Sequence, residues 1–334
     1  MGRRAATVAS LFAAVAVAPG AASAEPTLTW SGFVDTSLVY GFAPEIARDD
    51  GVTLGLDQAE VDLRAAVADG LSLGVDLQLR PPAWEPGDGD GPSGLNVLDE
   101  IVEQAWAEWF PGGGDAGFFL RLGKWNAPVG FEAIDPTGLY QFSQGLLFTY
   151  ATPSNLTGFA AGYRAGGVES QAWLTNDWDT ASTAGDAIVG GRVAYGREKG
   201  SIGLSATFGP VSDESPRVMV DVDATLRWPR FLLGAELNFG AQAGRSSIGF
   251  LVTANYQISS KVSATVRFDT LNREILDAPY KGKSLTAAVL AALASVEQGG
   301  EEVAALSLIA EVRADFQTGA ETAGTGAIEL LATF

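Results

Sequence analysis

The 334-residue chain has 40 Asp and Glu and 21 Lys and Arg, with no His and no Cys, so carboxylates and guanidiniums carry most of the chemistry available to it. Without imidazole the commonest general base and zinc ligand is missing. Without thiols there is no disulfide, thiolate nucleophile or Cys-held metal. Fixed charge remains, which attracts or repels ions by their sign. Arg64, Arg80 and Arg121 fall on polar positions of early alternating segments, while Glu132 and Asp135 lie in a long stretch, 126–154, that has no Lys or Arg. If that stretch turns toward those arginines, its acids oppose a basic wall across a constriction. The blander reading pairs the arginines with neighbouring acids such as Asp62 and Asp76.

Other motifs carry less. Gly112, Gly114 and Gly117 spell G-x-G-x-x-G, but Phe118 to Leu122 reads as a strand where a dinucleotide site needs the start of a helix. Asp88-Gly89-Asp90-Gly91 departs from a calcium loop at Ser93 and Asp99, where Gly and Glu are required. Asn155-Leu156-Thr157 fits a glycosylation sequon that has no use behind a bacterial-type leader. No acid pair stands apart in the manner of a glycosidase. The expectation is a chain without catalytic residues, cofactor or metal. Its formal charge of −19 repels phosphate backbones, which excludes nucleic acid as a partner.

The elements that must position these charges read as strands. Arg3 and Arg4, the apolar run Ala5 to Ala18 and the small-x-small site Ala22-Ser23-Ala24 mark residues 1–24 as an export signal. Beyond it, apolar and polar residues alternate with period two: Ala59, Val61, Leu63, Ala65 and Val67 against Gln58, Glu60, Asp62 and Arg64, then again on Leu71 to Arg80 after a tight turn. The same pattern runs through 218–239 and 248–268. The apolar run between Lys283 and Glu297 is too short to cross a bilayer as a helix, so a membrane protein of this sequence crosses as strands. The Ala-rich part Thr286 to Ala294 is also open to a helical reading.

Alternation alone fits both a soluble sandwich and a membrane barrel. Two further patterns favour the barrel. Every second connection is short, as at Asp69-Gly70, Glu198-Lys199 and Ser259-Ser260, whereas the others, including 81–96, 126–154 and Gly240 to Ser246, are mostly longer. Trp30, Trp109, Phe118, Tyr163, Tyr195, Trp228, Phe231 and Tyr256 gather where strands meet the short turns, and Tyr40, Phe208, Phe239 and Phe268 near the other ends. Two aromatic bands around an aliphatic zone match the two interfaces of a bilayer. The fold expected is all-β: a transmembrane antiparallel barrel of about 16 strands over 25–334, with lipid around it and loop 126–154 folded inward.

The segment Leu120-Arg121-Leu122-Gly123-Lys124-Trp125-Asn126-Ala127-Pro128-Val129-Gly130-Phe131-Glu132 resembles the motif G-K-aromatic-x-x-P-x-G-x-E of the OmpL-like family of beta-barrel porins. The resemblance covers about a tenth of the chain, and the final Phe334 fits it loosely. Pro153 to Gly158 lacks the His that such families commonly carry there. The resemblance implies a bacterial outer-membrane channel through which small hydrophilic solutes and ions diffuse, and a homotrimer, with a monomer left open. Polar-face acids outnumber polar-face bases, which predicts a weak preference for cations. The alternative is a plugged barrel acting as an adhesin or structural protein.

Overall fold

The computed structural model describes residues 26–41, 52–80, 101–112, 116–176, 178–179, 187–210, 215–275, 280–298, 301–319 and 322–334. The expected leader and the acidic stretch Asp88 to Gly91 lie outside them. The strands are β1 (Thr27–Gly41), β2 (Val52–Ala68), β3 (Leu71–Leu79), β4 (Val102–Trp109), β5 (Gly117–Asn126), β6 (Asn155–Ala165), β7 (Val168–Thr175) and β8 (Ile188–Arg197). They continue as β9 (Gly200–Gly209), β10 (Arg217–Trp228), β11 (Phe231–Gln242), β12 (Arg245–Gln257), β13 (Val262–Arg273), β14 (Tyr280–Gln298), β15 (Glu301–Gln317) and β16 (Ala323–Thr333). Each pairs antiparallel with its neighbour in sequence, and β1 closes on β16, giving a sixteen-strand barrel. A closed ring has no open sheet edge, which is the condition for strands to stand in hydrocarbon.

The side chains are distributed inside out relative to a soluble protein. Leu54, Leu122, Val193, Ile202, Val266 and Val312 are exposed on the outer face, whereas Asp221, Arg267 and Asp269 are fully buried on the inner one. Because successive strand residues point to opposite faces, the period-two pattern makes this division automatic. A continuous apolar outer surface of this kind is stable against lipid. No helix among the described residues is long and apolar enough to cross a membrane.

Rings mark both rims. Phe118 lies opposite Tyr163, and Phe231 opposite Tyr256, near the short turns. The ring centroids of Trp228 and Phe231 lie 5.5 Å apart. Toward the other rim Phe250 and Phe268 lie 5.7 Å apart. The seam is held by Phe334, whose N–H donates to Gly32 O and whose carbonyl accepts from Gly32 N, both at 3.0 Å. Its ring sits 5.7 Å from that of Trp30. A Cβ on residue 32 would lie 2.7 Å from the Phe334 ring, so only glycine lets the terminal ring approach.

One expectation changes and one open alternative closes. Gly240 to Ser246 is not a long connection: β11 and β12 run on to Gln242 and Arg245, joined by Ala243-Gly244, both at positive φ (52° and 78°), as a tight two-residue hairpin turn requires. Thr286 to Ala294 is strand, not helix. Thr286 and Ala288 are buried inside while Leu285 and Val289 are exposed outside, and cross-strand partners decide the matter over alanine's helix propensity. The β14–β15 hairpin also outruns its neighbours. β13 pairs only as far as Ala291 and β16 only as far as Leu306, and register shifts at Ala292 to Ser295 mark where the overhang begins.

A charge on the outer face tests this arrangement. Val252→Arg, near the middle of β12, should destabilise the barrel by about 2–4 kcal/mol, read from urea titration of folding into lipid vesicles. An unchanged midpoint would mean that this face does not meet hydrocarbon.

Candidate functional site

The inner face is built from charged ladders and one inserted loop. On the β2–β7 side, Arg64 donates to Asp76, which Gln104 also contacts. Arg121 and Arg164 share Glu108 at 2.6 and 2.9 Å, and Arg164 reaches Glu169 at 3.0 Å. Trp106 lies between Arg64 and Arg121, 5.5 and 5.4 Å from its ring, and Phe119 lies 4.1 Å beneath Arg164. Rings beneath guanidiniums hold them flat against the wall and replace part of their hydration.

Residues 127–154 leave β5 at Asn126 and return at Asn155, closed by Ala127 N to Ser154 O at 2.7 Å. Val129 packs into an apolar cluster of Trp125, Leu156, Ala160, Trp173 and Met219, which ties the start of the loop to β5, β6, β7 and β10. Gly130, at φ +83°, turns the chain so that Phe131 N donates to Glu236 at 2.8 Å. Further on, Tyr140 O accepts from Thr265 at 2.8 Å, Ser143 N donates to Glu311 at 3.0 Å, and Gln144 O accepts from Arg313 at 2.7 Å. A short helix α1 (Leu146–Tyr150) follows, with Leu146 against Leu271 and Tyr150 stacked on Tyr280 at 5.0 Å. The partners lie on β11 to β15, on the same face as the buried acids and bases.

At the centre of this seat is Arg267, completely buried. It donates to Glu132 at 2.8 Å, to Asp269 at 3.0 Å, to Thr286 at 3.2 Å and to the Ser143 carbonyl. Glu132 also accepts from Gln141 at 2.9 Å and from Gly145 N at 2.6 Å. The acid that the sequence set opposite the early arginines therefore binds the far wall. Arg64 and Arg121 pair with Asp76 and Glu108, as the blander reading had it, and Arg80 reaches Gln58 at 2.8 Å and stands 4.0 Å from Glu103. Asp135 meets acids. Burial first, then the carboxylates of Glu103, Asp62 and Asp76, push its pKa up to about 7 against the pull of Arg80. Burial likewise raises Glu132, with Arg267 opposing.

In sequence Arg267 is one of several arginines on polar strand faces, and nothing local points to Glu132 as its partner, 135 residues away. Near the short-turn end, a cavity of about 350 Å³ opens between Ser31, Asp62, Asp135, Thr137, Val296 and Thr333, so the overhanging hairpin reaches the loop.

Removing the Arg267 guanidinium leaves Glu132 and Asp269 buried without their cation, a change that costs about 3–5 kcal/mol where it has been measured. Arg267→Ala should loosen the loop, seen as faster proteolysis within 130–150, while the barrel keeps its heat-dependent gel shift. A loop as resistant as the parent's would show that Arg267 does not hold it.

A comparison with curated protein sequences finds no match. Solved structures show the same fold. An anion-selective porin from Comamonas acidovorans superposes with a TM-score of 0.63 at 15% identity, covering 93% of this chain and 100% of that one. The outer membrane channel DcaP of Acinetobacter baumannii gives 0.64 at 11% identity, with 92% and 97% covered. A trimer form of OmpT, an outer membrane protein of Vibrio cholerae, gives 0.63 at 13%, with 92% and 99% covered. The family model described as "Putative beta-barrel porin-2, OmpL-like" matches residues 27–275, about three quarters of the sequence. With its closed sixteen-strand ring and polar interior, the chain belongs to this family of outer-membrane porins.

Proposed function

We propose that this porin passes small hydrophilic solutes and ions by passive diffusion, making and breaking no bond. Its calibre is set where loop 127–154 faces the wall carrying Arg64, Arg80 and Arg121, and its current is carried mainly by cations. One observation carries the sign of the preference. Arg64, Arg121, Arg164, Arg192, Arg267 and Arg313 are each held by a carboxylate, whereas Asp35 and Asp221 form no ion pair among the described residues. The paired bases spend their field on their partners and the remaining acids set the potential of the lumen. A similar ring houses an anion-selective channel in Comamonas, so selectivity follows the wall charges and not the fold. The trimer form of the Vibrio protein supports a homotrimer here.

In a planar bilayer under a KCl gradient the reversal potential should report a weak preference for K⁺ over Cl⁻, and chloride preference overturns this reading. Because the pKa of Asp135 is raised to about 7, the group is largely neutral below that pH and gains its negative charge above it. Cation preference should therefore grow as pH rises from 6 to 8, and Asp135→Asn should flatten that rise. A silent bilayer, together with liposomes that do not swell in small sugars, would make the barrel a plugged one.

A further inference from the structure

We propose that Glu60, Glu103 and Asp135 hold a hard divalent cation of the size of Ca²⁺, which ties the lumen loop to the inner wall. Glu60 is on β2, Glu103 on β4, and Asp135 immediately precedes the 3₁₀ turn Pro136–Gly138. One carboxylate oxygen from each lies within 4.8 Å of the other two.

A cluster of acids is not a site by itself, and Glu103 supplies the second observation. Its side chain is 1% exposed, and Oε1 accepts from Asn126 Nδ2 at 3.0 Å. Oε2 is buried with no hydrogen-bond donor, and the nearest guanidinium, that of Arg80, stands off at 4.0 Å. Oδ1 of Asp135 is likewise buried and without a donor. Arg64 is committed to Asp76. Asp62 and Asp76 adjoin Glu60, so five carboxylates meet two guanidiniums here. Buried carboxylate oxygens without donors carry a large desolvation cost, which a multivalent cation between them offsets.

The donor set selects the ion. Every ligand is a carboxylate oxygen, with no nitrogen or sulfur, which favours a hard cation over zinc or copper. Oxygen separations of up to 4.8 Å suit the Ca²⁺ ligand distance of about 2.3–2.6 Å better than the tight octahedron of Mg²⁺ at about 2.0–2.1 Å. Asp135 also lines the short-turn cavity, which gives the ion an entry path and room for the waters that complete its shell. Two ligands come from the wall and one from the loop, so a bound ion would brace the loop at a point remote from Arg267 and cancel part of the lumen's negative charge.

The test uses the refolded full barrel in detergent, free of lipopolysaccharide and stripped with chelator, titrated calorimetrically with CaCl₂ and then with MgCl₂. One Ca²⁺ per chain is expected, with weaker Mg²⁺ binding. Glu103→Gln and Asp135→Asn should each weaken calcium binding about tenfold or more, and Glu198→Gln, in an exposed turn, should not. Heat-dependent gel mobility verifies that each variant is folded. In bilayers, calcium added to KCl should lower the conductance of the parent and leave that of Asp135→Asn unchanged. The electrical arm rests on the channel reading and the calorimetric arm does not. Calcium heat in a silent barrel keeps the site and sinks the diffusion reading, whereas KCl current without calcium heat does the reverse. Binding that is equal in the parent and both variants also overturns the site.

Discussion

Everything in this molecule follows from pairing backbone groups in a medium that offers none. In hydrocarbon an unpaired N–H or C=O is a heavy cost, and closing sixteen strands into a ring satisfies the ladders without leaving an edge. Closure then dictates the side chains. With one face turned to lipid, the period of two forces every second residue inward, and the polar half of the sequence is packed into a space it must share. Acids and bases that would be scattered over the surface of a soluble protein find one another here at hydrogen-bond distance.

Packing of this kind accounts for the inserted loop. Its backbone N–H groups at Phe131, Ser143 and Leu146 donate to wall carboxylates of Glu236, Glu311 and Asp269. Its carbonyls at Tyr140 and Gln144 accept from Thr265 and Arg313. The inner wall thus does for an irregular segment what neighbouring strands do for one another. The apolar residues that looked misplaced in an exposed loop, such as Phe131, Leu146 and Tyr150, complete the seat by packing against Gly234, Leu271 and Tyr280.

The ring was legible in the sequence because its signal is local. Alternation at 58–80, aromatic residues near short turns and the terminal Phe334 each report a neighbour or an interface within a few residues. Turn chemistry was less legible. Ala243-Gly244 lies among small polar residues that also suit a longer connection, and only the pairing of Gln242 with Arg245 reveals the tight hairpin. The wiring of the charged residues was not legible. Pairing arginines with acids close along the chain fits Arg64 with Asp76, whereas setting Glu132 against the early arginines misses Arg267, which the circumference of the ring brings to it. Glu103 was overlooked for a similar reason. An irregularity between Asp76 and Leu77 shifts the pairing of β3 with β4, and no count of alternate residues predicts on which side of it an acid will emerge.

The loop's hydrogen bonds to the wall gather on β11 to β15, while Arg64 and Arg80 on the other side keep exposed guanidiniums. On the proposed reading, traffic runs off-centre, along a crescent between one bank and a moored obstacle. The number of staves then fixes the girth of the cask but not the width of its spout, so strains with altered permeability can arise by exchanging a few loop side chains, leaving untouched the slow business of assembling the barrel.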